Sequence, residues 1–411
     1  MPYYTTLGQI PSKRHIQFRR PDGGLYSEEV FGTEGFVGPT STLYHINPPT
    51  QVAGWKKLYG TQVDFIETDV MRMRHLKSWG RPPAGDPITG RTVLLGNTDV
   101  EMSICVPTEA MNYHYKNGSG DECLFVHFGS GKLHTSMGTL EFGPKDYIVI
   151  PKGVTYQMIF NEQPSGEPPA RFLCFETMNT SHILPPARYI SKKTSQFLEH
   201  APYCERDLRL PADQLTWDEA GEFEVRIKAR DSIHSYIYDY HPLDVVGWDG
   251  CYYPYCFNID DFSPIVGKHH MPPPTHQTFE GHNFVICSFC PRVLDFHPKA
   301  IVVPYNHSNL DSDEVLYYVE GNYKARRGIE QGSFSLHPQG IPHGPHPGTV
   351  EKSIGATWTD ELAVMCDTFR PLHPTKAAIE MDDPEYPASW ANWKSESIAP
   401  PSNDGTTQNT W

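Results

Sequence analysis

The sequence predicts an all-β fold built of two barrels, on three observations. Thirty-eight prolines and 33 glycines are spread along 411 residues and cut the chain into short apolar runs. Aromatic residues reach 12%, with 22 Tyr and 20 Phe, types that favour strands and fill barrel interiors. A two-part pattern of Gly, Pro, His and Glu is also written twice, once in each half.

The runs read as strands because turn residues bound each one. Examples are Tyr147 to Ile150, Phe223 to Ile227, Phe284 to Cys290 and Ala300 to Val303. Helical periodicity is weak, with short candidates at Thr108 to Met111 and Ser195 to His200. Two domains are expected: 1–200 as an N-terminal barrel without a metal site, and 201–395 as the C-terminal, working barrel. Extra strands and loops join them between about Pro185 and Ile233. The polar stretch 396–411 reads as a flexible tail.

Bulk chemistry excludes several classes. A formal charge of −15 argues against a nucleic-acid partner, which needs a basic surface to displace counterions. No apolar run reaches the ~18 residues of a membrane helix, and Met1 to Arg20 lacks the apolar core of a secretory signal. A cytoplasmic protein is expected. Nine scattered cysteines, an odd number, suit buried free thiols better than disulfides, and Cys287-Ser-Phe-Cys290 has no second CxxC to complete a metal site.

The repeated pattern carries the chemistry. In the C-terminal half its first part is His307-Ser308-Asn309, four residues, Glu314, six residues, Gly321. Its second part is Gly332, five residues, Pro338-Gln339-Gly340, two residues, His343. The pair resembles the two signature motifs of the cupin superfamily, with Asn309 in place of the second histidine and Pro347 at the last position. Two jelly-roll barrels of the double-stranded β-helix kind follow from that resemblance. The N-terminal copy is weaker: His114, then Glu122 and Gly129, then Gly143 and Pro151-Lys152-Gly153, with Tyr156 where a ligating histidine belongs.

Two neutral imidazoles and one carboxylate on one face of an ion leave the other face open, which suits a non-haem Fe(II) oxygenase. His307, Glu314 and His343 supply that set, and three ligands with open positions mark a catalytic rather than a structural site. Asp311 and Asp313 compete with Glu314. In a strand Asp313 and Glu314 face opposite ways, and the spacing to Gly321 favours Glu314. Mn or Zn also suits these donors.

The text around the motifs resembles homogentisate 1,2-dioxygenases, the shorter bacterial members most. The resemblance rests on Asp244 to Gly250, Phe257 to Ile259, His269 to His276, Tyr113 to Val126, Leu336-His337, Pro342 to Pro345 and Thr359 to Met365. It implies that Fe(II) sits on His307, Glu314 and His343, and that His270 acts as catalytic base on a substrate hydroxyl. It also implies that His337 is a second-sphere histidine grouped with the substrate-binding residues. Tyr323 and Arg326 then hold the substrate carboxylate, with Tyr317 and Tyr318 as alternatives to Tyr323. The loop between His307 and Glu314 is one residue longer than in the animal-type enzymes.

The expected reaction is cleavage of homogentisate by O2 to maleylacetoacetate. The partners are then a small aromatic acid and O2, with neither nucleic acid nor membrane, and the chain is expected to form a homo-oligomer. The alternatives are a dioxygenase of another hydroquinone such as gentisate, or a non-catalytic metal-binding bicupin.

Overall fold

The computed structural model describes residues 3–68, 70–178, 182–268, 273–321, 323 and 328–391. The all-β architecture expected from the sequence forms: strands dominate, and the two α-helices among the described residues are Thr349–Ser353 and Lys376–Met381. The chain divides into two compact units. One takes Met1–Asp64, Pro82–Val93 and Thr98–Asn258; the other takes Phe65–Arg81, Leu94–Asn97 and the chain from Ile259 on. The stretch 201–258, assigned to the second domain by sequence, falls in the first unit. Backbone pairing puts it there: Ala220–Ala229 runs parallel to His114–Asn117, and Tyr255–Asn258 runs antiparallel to Asp146–Ile150. The expected tail lies outside the described residues.

In the first unit, one sheet orders the strands Gly138–Phe142, Gly131–Thr135, Thr155–Phe160, His114–Asn117, Ala220–Ala229, Ser232–Tyr240 and Gly54–Gly60. A second carries Tyr255–Asn258, Asp146–Ile150, Glu122–Phe128, Arg171–Thr177 and Val100–Cys105 in that order. Alternate residues of both sheets meet inside, where Tyr115, Leu133 and Tyr156 pack with Leu124, Ile148 and Cys174. Burial of this apolar surface drives the closure.

In the second unit, the strands Gln277–Gly281, Phe284–Phe289, Leu362–Thr368, Asp313–Glu320, Phe334–His337 and Arg74–Leu76 lie side by side. Cross-strand register sets what faces inward. Leu316 pairs with Met365, and Met365 with Cys287, so these side chains share one face with Tyr318 and Ala363 and form the interior cluster. Thr375 caps the last helix by accepting from the Ala378 amide at 3.3 Å.

Three local expectations fail. Thr108 to Met111 is not helical, because the Thr108 and Glu109 amides both go to the Gly85 carbonyl. Ser195 to His200 is not helical either, since Ser195 takes φ 59°, a left-handed conformation that breaks a helix. Ala300 to Val303 is no strand; the Ala300 amide closes a turn on His297, and Pro304 follows. All nine cysteines are free thiols, and Cys287 and Cys290 are buried.

Candidate metal centre

His307 and His343 are joined through their backbones: each amide donates to the other's carbonyl at 2.8 Å. That reciprocal bridge fixes both rings on one side, with centroids 4.3 Å apart. Glu314 reaches them from the strand Asp313–Glu320. Its neighbour Asp313 turns the other way and accepts the amides of Gln339 and Leu372, each at 2.8 Å. Gly321 ends that strand at φ 98°, and a Cβ there would meet the Asp360 carbonyl at 2.1 Å, so only glycine fits.

The three donors converge. Ligand atoms of His307, Glu314 and His343 all lie within 4.8 Å of one another. Nε2 of His307 is 3.5 Å from Glu314 Oε2, and Nε2 of His343 is 3.7 Å from Glu314 Oε1. Nδ1 of His343 lies 2.9 Å from the Ile341 carbonyl, and Nδ1 of His307 lies 3.2 Å from the Tyr305 carbonyl. A carbonyl only accepts, so Nδ1 carries the proton and the Nε2 lone pairs are turned to the carboxylate. That is how second-shell carbonyls prepare imidazoles for a metal. His343 Nε2 is buried and makes no hydrogen bond among the described residues, which is costly for a polar atom unless an ion takes its lone pair. The donor set therefore fits a divalent cation.

Electrostatics point the same way. Burial works to raise the Glu314 pKa, but the three histidines around it, His307, His337 and His343, outweigh it and hold the carboxyl well below its ordinary range. Glu314 is thus ionised, as a ligand must be.

His337 stands behind Glu314 rather than in open space. It is fully buried, its Nδ1 lies 2.9 Å from Glu314 Oε1, its Nε2 lies 3.3 Å from the Tyr386 hydroxyl, and its ring stacks on His343. Both ring nitrogens are engaged, so the residue orients the carboxylate and is not placed to bind substrate. Tyr323 packs edge-on against Tyr318 at 4.8 Å, beside the interior cluster. Its hydroxyl is buried with no hydrogen-bond partner among the described residues, and burial, with Glu361 next, raises its pKa. Tyr317 and Tyr318 alternate across their strand, and Tyr318 is the one facing this cluster. His270 and Arg326 lie outside the described residues.

Two residues escaped the sequence reading. Asp367 is the cross-strand partner of Glu314, so the two acids share a face. Burial, then the charge of Glu314, push its carboxyl up to about 8, while His307 pulls it down. Its signal is a lone acid directly after the apolar run Leu362 to Cys366. Arg292 lines a cavity of about 100 Å³ together with His276, Phe289, Tyr305 and His307. Its guanidinium lies over the Phe289 ring at 5.7 Å, and no motif marked it.

The first unit repeats this geometry with other side chains. Tyr115 and Tyr156 are paired in register as His307 and His343 are, and Glu122 follows Tyr115 at the spacing by which Glu314 follows His307. Asp121 accepts the Lys152 amide as Asp313 accepts that of Gln339. Gly129 takes φ 95° where Gly321 takes 98°. Tyr115, not the expected His114, is therefore the counterpart of the first ligand. His114 faces the other way and packs on His241, with ring centroids 4.8 Å apart. The Arg91 guanidinium binds Glu122 and lies 3.3 Å from the Tyr156 hydroxyl, which itself donates to Glu122 at 2.7 Å.

Comparison with known proteins agrees with this layout. Residues 84–259 match the family described as homogentisate 1,2-dioxygenase N-terminal, and residues 262–397 the one described as homogentisate 1,2-dioxygenase C-terminal. A Saccharolobus solfataricus protein, assigned provisionally to the dioxygenases, is 36% identical over 95% of this chain and 99% of its own length. Homogentisate 1,2-dioxygenase of Nitrobacter hamburgensis is 27% identical over 93% of this chain and 90% of its own. A solved structure of Bacillus subtilis oxalate decarboxylase aligns over 74% of this chain and 77% of its own, at 10% identity and a TM-score of 0.33, too faint to carry an argument.

Proposed function

The chain belongs to the homogentisate 1,2-dioxygenase family, and from that membership we propose that it opens homogentisate with O2 to maleylacetoacetate. The observation that carries this reading is the convergence of two Nε2 lone pairs and one ionised carboxylate at His307, His343 and Glu314. These three residues would hold Fe(II), leaving positions open for substrate and oxygen. When bound, the metal supplies a Lewis acid for the ring hydroxyl and a redox partner for O2.

The chain's own residues do the rest. His337 fixes the carboxylate of Glu314. His270 accepts the proton of the substrate hydroxyl. The Tyr323 hydroxyl and the Arg326 guanidinium take the acetate arm, and Arg292 on the cavity wall adds positive potential that favours an acid. With this function go a cytoplasmic location and a homo-oligomer, which gel filtration tests.

Turnover of homogentisate under ¹⁸O2 checks the reaction class. Both labelled atoms should appear in a ring-opened product. Release of hydrogen peroxide, or an intact ring, contradicts it.

A further inference from the structure

Three glutamates stand side by side in the first unit. Glu101 pairs in register with Glu176, and Glu176 with Glu122, across three adjacent strands. Like charges directly opposite one another repel, so such a row needs cations. Two are present. Arg91 binds Glu122 and comes within 3.9 Å of Glu176, while the Lys228 ammonium lies 2.5 Å from Glu176. Three carboxylates against two cations leave one acid over, and it is Glu101. Its residue exposure is 7%, and among the described residues its side chain makes no hydrogen bond or ion pair.

Glu101 lines a cavity of about 320 Å³ that lies wholly within this unit, a volume in the range of small-molecule sites. Arg91, Tyr115, Glu176 and Lys228 share its wall. Tyr59, Val63, Ile88 and Ile233 make much of the remainder apolar or aromatic. Burial, and then Glu176 and Asp231 against the opposing pull of Lys228, push the Glu101 carboxyl up to about 7. Tyr115 on its wall is the counterpart of His307, and Arg91 beside it binds Glu122, the counterpart of Glu314.

We propose that this cavity binds a small organic ammonium ion, its charge on Glu101 and its carbon skeleton against Tyr59, Ile88 and Ile233. The missing third cation of the glutamate row is thus supplied by the ligand. An inorganic ion would match the charge but leave the apolar wall unused, and aromatic faces add to the attraction for an ammonium group. The site does not depend on the metal centre of the other unit.

Calorimetric titration of the full chain with n-butylammonium and putrescine, against n-butanol and potassium chloride, tests it. At least one amine should bind once per chain, with butanol and potassium silent. Glu101→Gln, which removes a buried surplus charge and so keeps the fold, should weaken the amine at least tenfold. Glu101→Asp should retain it. No amine binding up to millimolar concentration, equal binding of potassium, or amine binding that Glu101→Gln leaves unchanged would each overturn the proposal.

Discussion

Nδ1 of His337 lies 2.9 Å from Oε1 of Glu314, and the same imidazole stacks on His343 with centroids 4.6 Å apart. One buried ring thus orients two of the three candidate ligands. Replacing it with phenylalanine keeps the stacking and removes the donor. His337→Phe should lower metal affinity or turnover ~10–100-fold, the usual cost of losing an outer-shell partner. Metal retained after dialysis against a chelator reads this out, and unchanged retention would show that the bond orients nothing.

Tyr323 keeps a buried hydroxyl without a hydrogen-bond partner among the described residues. If that hydroxyl waits for the substrate acid, Tyr323→Phe costs the fold nothing and costs binding one hydrogen bond. A net ~1 kcal/mol corresponds to a several-fold rise in KM. Steady-state kinetics with KM and kcat separated, alongside a thermal melt, checks both halves. A fall in Tm with KM unchanged would make Tyr323 a packing residue only.

His45 is a stability element in the first unit. Its Nδ1 lies 2.8 Å from Asp244 and its Nε2 lies 3.0 Å from Glu29. Carboxylates only accept, so both nitrogens are protonated and the ring is a cation. Burial opposes that charge, but Asp244 and Glu29 outweigh it and raise the pKa to about 9. The folded value exceeds the unfolded one near 6.5, so the stabilisation is complete below that pH and is lost as pH rises through 9. Its size is of the order of 3 kcal/mol. Urea denaturation at pH 6 and pH 10 should show the loss, and His45→Gln should flatten it.

Arg91 takes the place in the first barrel that a cation would hold. Glu122 has no exposed side-chain surface, and Arg91 is its ion-pair partner. Arg91→Met leaves that carboxylate buried with its pair broken, at a cost of ~3–5 kcal/mol. The double change Arg91→Met with Glu122→Met should recover much of the loss. Equal destabilisation of the single and double variants would mean that packing, not charge, sets the cost.

The sequence held much of the second site, because the motif spacings encode a strand, a turn and three donors within 37 residues, His307 to His343. What it did not hold came from register between distant segments. Asp367 meets Glu314 across a strand pair with no local mark, and Arg74–Leu76 pairs with Phe334–His337 from some 260 residues away. The misreading of the first barrel has the same origin. His114 has the chemistry of a ligand, yet side chains alternate along a strand, and the register of Tyr156 with Tyr115 decides which of two neighbours faces inward. Arg91 stayed unnoticed because a lone arginine at the start of an apolar strand resembles any surface charge until Glu122 is placed beside it.

Oxygen consumption by anaerobically prepared, Fe(II)-loaded protein tests the central claim most directly, with homogentisate and gentisate in parallel cells and Glu314→Gln as control. Rapid uptake of one O2 per homogentisate is expected, with none on gentisate and none in the folded Glu314→Gln variant. Iron bound in full with no uptake on homogentisate, or full activity in the variant, would contradict it.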